Sequence, residues 1–262
     1  MNRARETVFA EQRRGEIAES VRTDGQITVL EMSEKYGVSP ATIRADLTVL
    51  EEKGLLRRTH GGAIRAESRA GLEQTSAEKE AQHVREKQAI AKCAAALIEP
   101  GDVIALDTGT TTRELANVLL GMSGITVVTN DIRIATVLSA NEHITLILLG
   151  GSVRPGFQCT LGALTEDHLG QIYTDKAFIA ANGMSTARGL STPHIETGKI
   201  KHRLITNTGK VIAMVDSSKI GNEALCRFAS MNEIHTLITD PAAPQSFLAE
   251  AERAGVEVIV AG

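Results

Sequence analysis

The sequence predicts an α/β protein in two parts: a winged helix-turn-helix domain over residues 1–65, then a larger Rossmann-like domain with a mainly parallel sheet over residues 86–262. Three observations predict it. A very short turn, Gly37-Val38-Ser39, separates two segments of helical periodicity. Beyond Lys87, short continuous apolar runs alternate with helical stretches, the pattern of strands covered on both faces. Between the two parts, Ala66 to Arg85 is polar, rich in Glu, Ala, Ser and Gln, and reads as a solvated linker or exposed helix.

Composition narrows the function classes. The chain of 262 residues is 42% hydrophobic, enough for two cores, and 3% aromatic with no Trp, which disfavours recognition of single strands by base stacking. Cys93, Cys159 and Cys226 are far apart and form no metal-binding or redox spacing, so free thiols in a reducing compartment are expected. His83, His143, His168, His194, His202 and His235 have no metal spacing and read as surface or core residues. Residues 1–22 lack the apolar centre of a signal peptide, and no run is long enough to span a bilayer, so a cytoplasmic protein without membrane partners is expected. The net charge is −4, with 11 Lys+Arg against 10 Asp+Glu in residues 1–65 and 17 against 22 beyond. Any nucleic-acid face must therefore come from sorting charge by side.

In chain order, Ile17, Ala18 and Val21 mark a first helix over Arg13–Val21 that ends near Asp24-Gly25. Thr28 and Glu31 have capping-box spacing at the start of a second helix, with Val29, Met32 and Tyr36 on its buried side. Gly37 suits the left-handed C′ position that ends it. Ser39 suits the N-cap of the third helix, with Pro40 at its first position. Ile43, Leu47 and Leu50 form the apolar face of that helix. Ala41, Thr42, Arg44, Ala45 and Thr48 lie outward with nothing bulky among them, a shape suited to the major groove of DNA. Leu55 to Ala63 reads as strand, glycine turn and return strand, a wing whose Arg57, Arg58 and His60 can meet phosphates. Helix-turn-helix spacing alone leaves a protein-binding helical domain as an equal reading.

In the second part, a helical face at Ile90, Ala91, Ala94, Leu97 and Ile98 precedes strands expected at Val103–Leu106, Ile125–Val128, Ile144–Leu149, Ala177–Ala180, Val211–Val215, Thr236–Ile238 and Val256–Val260. Helices are expected at Thr112–Leu120, Ile132–Ala140, Ile195–Ile205 and Gln245–Ala254. Ligands of such folds bind at the carboxyl ends of the strands. There stand Asp107 with Thr108, Gly109, Thr110, Thr111 and Thr112, then Asn130, Gly150-Gly151, Asn182-Gly183 and Asp216 to Lys219. Glycine and hydroxyls at a helix N-terminus favour phosphate. Together these ends point to a phosphorylated, hydroxyl-rich ligand; neither Walker A nor the dinucleotide glycine fingerprint is present.

The residues Val38-Ser39, Thr42-Ile43-Arg44, Asp46-Leu47, Leu50, Gly54-Leu55 and Arg58 to Ala63 resemble the helix-turn-helix of the DeoR family of bacterial transcriptional regulators. Leu106 to Thr111, Val128-Thr129-Asn130, Leu149-Gly150-Gly151 and Ala213 to Lys219 resemble its C-terminal domain, whose fold is that of ribose-5-phosphate isomerases. The resemblance implies a repressor of a sugar-utilisation operon, released from double-stranded operator DNA by a phosphorylated sugar. It implies a homodimer or homotetramer, no cofactor, and contact to DNA through Ser39, Pro40, Ala41, Thr42, Arg44, Ala45, Thr48, Arg57, Arg58 and His60. Phosphate is expected at Gly109 to Thr112 beside Lys219. Asp107, Asn130 and Glu196 are expected on the sugar hydroxyls, with Gly150, Gly151 and Gly183 at the pocket edge. The chain departs from the family pattern at Ala45 (usually Arg), Ala180 (usually Gly) and Thr197 (usually Ala). The alternative is a sugar-phosphate isomerase with an appended DNA-binding module. It is disfavoured because Ala181 to Ser185 lacks the acidic cluster that those enzymes carry after the matching strand.

Overall fold

The computed structural model describes residues 10–52, 55–59, 61–65 and 73–262. The chain divides into two compact units, Met1–Arg69 and Ala70–Gly262. In the first, helix α1 (Ala10–Asp24) leads through strand β1 (Gln26–Thr28) into α2 (Val29–Tyr36) and α3 (Pro40–Glu52), followed by β2 (Leu56–Arg58) and β3 (Gly62–Arg65). The capping box forms as expected: the Glu31 N–H donates to Thr28 Oγ1, and the Thr28 N–H donates to the Glu31 carboxylate. Gly37 takes the left-handed conformation, φ 64°, and its N–H donates to the Ser33 carbonyl. The three helices close on Ile17, Val21, Met32, Ile43, Leu47, Leu50 and Leu56.

The wing exists and has a third strand that the periodicity does not disclose. β3 pairs antiparallel with both β2 and β1. Three residues of β1 are too few to show alternation, so only the tertiary pairing reveals it. Gly62 is required there, because a Cβ on it would lie 1.9 Å from the Ile27 carbonyl oxygen. Gly54 and His60 lie outside the described residues.

The second unit begins with α4 (Ser76–Glu80) and α5 (Val84–Ala95). β4 (Val103–Leu106), α6 (Thr110–Leu119), β5 (Ile125–Thr129), α7 (Ile132–Leu138) and β6 (Ile144–Leu148) follow. Next come a hairpin of β7 (Ser152–Arg154) and β8 (Cys159–Leu161), then α8 (Ala163–Gly170), β9 (Thr174–Ile179), β10 (Gly183–Ser185) and β11 (Gly189–Thr192). The chain ends with α9 (Ile195–Thr206), β12 (Thr208–Met214), β13 (Cys226–Ala229), β14 (Thr236–Thr239), α10 (Gln245–Arg253) and β15 (Glu257–Val260). All seven expected strands pair in one parallel sheet of order β15-β14-β12-β9-β4-β5-β6. One face packs on α5, α6 and α7 through Ile90, Leu115 and Ile134. The other packs on α8, α9 and α10 through Leu169, Ile200, Leu204 and Phe247. Neighbouring strand residues such as Ile104 and Ala105 go to opposite cores, which is why the strands read as continuous apolar runs.

From β4 the chain winds outward to β6, then returns to place β9 beside β4 and winds the other way. The strand order reverses between β4 and β9, and a crevice opens at their carboxyl ends.

The connector expected over 66–85 needs correction. Residues 66–72 lie outside the described residues, but residues 73–85 belong to the α/β unit. A capping box of Thr75 and Glu78 starts α4, Ser76 is buried, and Arg113 and Arg133 both hold the Glu80 carboxylate. The reason it reads as linker is physical. Its attachment is polar and long-range, so it leaves no apolar periodicity.

Candidate functional site

In the first unit, the Thr42 N–H donates to Ser39 Oγ (3.1 Å), which fixes Ser39 as the N-cap of α3. Ser39, Pro40, Ala41, Arg44 and Ala45 are exposed, and Thr42 and Thr48 are half-buried, so the expected outward face of α3 is the observed one. Thr48 Oγ1 turns back to donate to the Arg44 carbonyl and accepts from Arg58 Nη1 (2.7 Å). Arg58 is therefore laid along α3, and Arg57 is exposed beside it on β2. Behind this face, Asp46 is buried and accepts from Arg13 Nε and Arg14 Nε, each at 2.7 Å. This anchor between α3 and α1 has no local sequence signal, since its partners lie 32 and 33 residues away.

In the second unit, a cavity of about 60 Å³ opens at the reversal point between β4 and β9, several times the space that one water needs. Among the described residues its walls carry the cations Lys79, Lys87, Arg154, Lys201 and Lys219 against the carboxylates Glu73 and Asp216. Thr108 to Thr111, at the start of α6, and Ala180 to Asn182, after β9, line the same space. The unpaired N–H groups of the α6 N-terminus thus face a cation-rich crevice.

Of the residues expected on the ligand, Gly109, Thr110, Thr111 and Lys219 line this cavity. The others do not. Asp107 is fully buried, bonded to Lys201 and to the Ala180 N–H (3.1 Å). Thr112 Oγ1 donates to the Gly109 carbonyl, and Asn130 Nδ2 ties the end of β5 to the Thr160 carbonyl (2.9 Å). The Gly150 carbonyl accepts from Thr165 Oγ1, and a Cβ on Gly151 would meet that same oxygen at 2.2 Å. Gly183 packs against the Asn222 carbonyl, where a Cβ would lie at 2.4 Å. Glu196 is half-buried on α9 and pairs with Lys199 (2.8 Å). Asp107, Asn130 and Gly150-Gly151 sit at strand ends as expected, where hydrogen bonds or tight packing tie them into the fold, while Thr112 and Glu196 stand on α6 and α9.

Sequence reasoning missed Glu73, Lys79, His83, Lys87, Arg154 and Lys201 as cavity residues. Lys201 carried a usable signal: it stands three residues after Gly198 and four before Ile205, facing inward on α9. It is 3% exposed and donates to Asp107, to the Ala180 carbonyl (2.9 Å) and to the Thr108 carbonyl (3.4 Å), which binds the ends of β4 and β9 together. Ala180 fits there because Gly109 lacks a Cβ; one would come within 2.7 Å of the Ala180 methyl. Thr197 adds a hydroxyl that accepts from Arg154 Nη1 (3.4 Å).

The electrostatics follow from crowding. Burial holds the Lys79 ammonium below its usual pKa, and nearby Lys219 and Lys201 push the same way, against the pull of Glu73. Burial also lowers Lys87. Burial raises Glu73, but Lys79 and Arg154 outweigh it and hold the carboxylate below its usual range. Burial pushes Asp107 upward against the pull of Lys201. Among the described residues, no group of His, Cys, Asp and Glu could hold a metal ion, and no helix is long and apolar enough to cross a membrane.

Residues 13–69 match the DeoR-like helix-turn-helix domain and residues 82–241 match the DeoR C terminal sensor domain. The chain belongs to the DeoR family. Similar members include a putative aga operon transcriptional repressor of Escherichia coli O157:H7, 32% identical over 96% of this chain and 94% of that protein. The HTH-type transcriptional repressor GlcR of Bacillus subtilis (strain 168) is 35% identical over 97% of each chain. A lactose phosphotransferase system repressor of Lactococcus lactis subsp. lactis is 35% identical over 86% of this chain and 88% of its own. A solved D-ribose-5-phosphate isomerase in complex with phospho-erythronic acid is 20% identical with a TM-score of 0.39, covering 51% of this chain and 52% of its own, a likeness that carries no functional argument. This DeoR-family protein is a transcriptional regulator rather than an enzyme, and the isomerase alternative is set aside.

Proposed function

We propose that this regulator represses sugar-utilisation genes and leaves its operator when a phosphorylated sugar occupies the crevice between β4 and β9. The observation that carries the reading is the excess of buried and half-buried cations facing the N-terminus of α6. A phosphate dianion relieves that crowding, and the Thr110 and Thr111 hydroxyls with the Asn182 amide suit a polyol. The names of the aga operon and lactose system repressors support the same reading. For release, the effector must bind the DNA-free form more tightly than the DNA-bound form. A homodimer or homotetramer suits the two-fold symmetry of an operator.

On the DNA side, α3 enters the major groove with Thr42 and Arg44 foremost, while Ser39, Pro40, Ala41, Ala45 and Thr48 shape its approach. Arg57 and Arg58 meet the flanking phosphates. Replacing Arg44 by Ala is expected to cost about 1–3 kcal/mol of operator affinity if it reads a base, or to reduce the salt slope by about 1 if it neutralises a phosphate. Operator titrations at several salt concentrations measure both; a variant that changes neither has lost no DNA contact.

The effector is tested by thermal melting of the full protein against a panel of sugar phosphates and their unphosphorylated sugars. A bound effector at a hundredfold its Kd adds about 2.7 kcal/mol of stability. The stabilising compound should also release labelled operator, and Lys219→Ala should abolish that release with operator affinity intact. Stabilisation by no phosphorylated sugar removes the effector reading and leaves DNA binding standing.

A further inference from the structure

We infer that Glu73 is an internal competitor for the effector's anionic group: its carboxylate sits in a cradle of Arg154, Lys79 and Asn182, and an arriving phosphate displaces it and unlatches residues 73–83. This rests on the crevice being the effector site. Glu73 accepts from Lys79 Nζ (2.8 Å), Arg154 Nη2 (2.9 Å) and Asn182 Nδ2 (3.4 Å), and its side chain is 10% exposed. A guanidinium, an ammonium and an amide converging on one oxyanion are the donors that a phosphate oxygen also takes.

The Arg154 and Asn182 side of the cradle lies outside the 73–83 stretch and stays when Glu73 leaves, whereas Lys79 belongs to α4 within it. The Arg154 guanidinium lies 3.6 Å above the Phe157 ring, which orients its donors toward the cavity. Lys219 points into the same cavity and forms no ion pair among the described residues. Two carboxylates, Glu73 and Asp216, thus face five cations in the cavity wall, an excess of positive charge that suits a dianion. A phosphate monoester carries about −1.5 to −2 at neutral pH, so exchange for Glu73 improves the local charge balance.

The stretch so displaced is held by polar contacts. Residues 73–83 contain no large apolar side chain. Their attachments are Arg154 on Glu73, Arg113 and Arg133 on Glu80, and Lys87 Nζ donating to the Gln82 carbonyl (2.6 Å) and the Lys79 carbonyl. A segment that buries little apolar surface opens locally at low cost. The stretch opens the described part of the α/β unit, so exchange at Glu73 loosens its N-terminal end.

The test uses the full-length protein, with inorganic phosphate as probe and potassium chloride at matched ionic strength as control. Glu73→Gln should bind phosphate about tenfold more tightly than the wild type, a difference of about 1.4 kcal/mol. In the wild type, phosphate should speed hydrogen exchange over residues 73–83, a readout that needs no folded variant. Equal or weaker binding by Glu73→Gln overturns the competition, and so does slower exchange over 73–83, which means closure on the ligand. Adding Lys219→Ala to Glu73→Gln should remove phosphate binding. If it does not, the anion binds elsewhere and the effector reading of the crevice fails with the latch. If phosphate binds no form, both fail.

Discussion

Replacing Lys201 by Met is expected to destabilise the α/β unit by about 3–5 kcal/mol, the cost of leaving a buried charge without its partner. Lys201 and Asp107 are 3% and 0% exposed, so the pair is almost wholly withdrawn from bulk solvent. The ammonium also bonds the carbonyls of Ala180 and Thr108, and its loss unties the two strand ends that frame the crevice. At about 2–4 °C per kcal/mol for a unit of this size, the melting temperature should fall by about 6–20 °C. Calorimetry of the full protein measures it. The double variant with Asp107→Asn should recover much of the loss, because the uncompensated carboxylate is then gone. A single variant that melts with the wild type would show that the pair does not brace the fold.

Replacing Asp46 by Ala is expected to weaken the helix-turn-helix unit by a similar margin, about 3–5 kcal/mol, since the buried carboxylate holds the Nε of both Arg13 and Arg14. Arg13 is 7% exposed, while the Arg14 side chain is 30% exposed and its share is partly screened. The functional consequence separates this residue from Arg44. Asp46 lies behind the exposed face of α3, so its loss should lower operator affinity while leaving the salt slope unchanged. Urea denaturation and salt-dependent operator titration together check it. A reduced slope would mean that the substitution also removes a phosphate contact, and unchanged stability would remove the anchor.

Much of the fold was legible because it is written locally. Thr28, Glu31, Gly37 and Ser39 act through bonds to residues three or four positions away, and such spacings are visible in any window of sequence. The parallel strands were legible for a related reason: the five inner ones are largely buried on both faces and so mostly apolar, while the edge strands β6 and β15 are apolar though partly exposed. The crevice was half legible. Gly109, Thr110, Thr111 and Lys219 follow from the rule that ligands meet strand carboxyl ends. Asn130, Gly150, Gly151, Gly183 and Glu196 do not line this crevice: Asn130 and Gly150-Gly151 follow β5 and β6, farther out in the sheet, Gly183 packs against the Asn222 carbonyl, and Glu196 stands on α9.

By itself, then, the sequence determined the class of fold, the helix boundaries set by caps, the exposed face of α3 and the phosphate-suited start of α6. Each depends on nearest neighbours along the chain or on a simple inside-outside choice. Folding is what brings Glu73, Lys79, Arg154 and Lys201 into one crevice and makes 73–85 part of the α/β unit. Glu73 and Asn182 are 109 residues apart, and Asp107 and Lys201 are 94. Charge pairs at such separations leave no period in the sequence; they exist only once the sheet has reversed its order and brought the ends of β4 and β9 together.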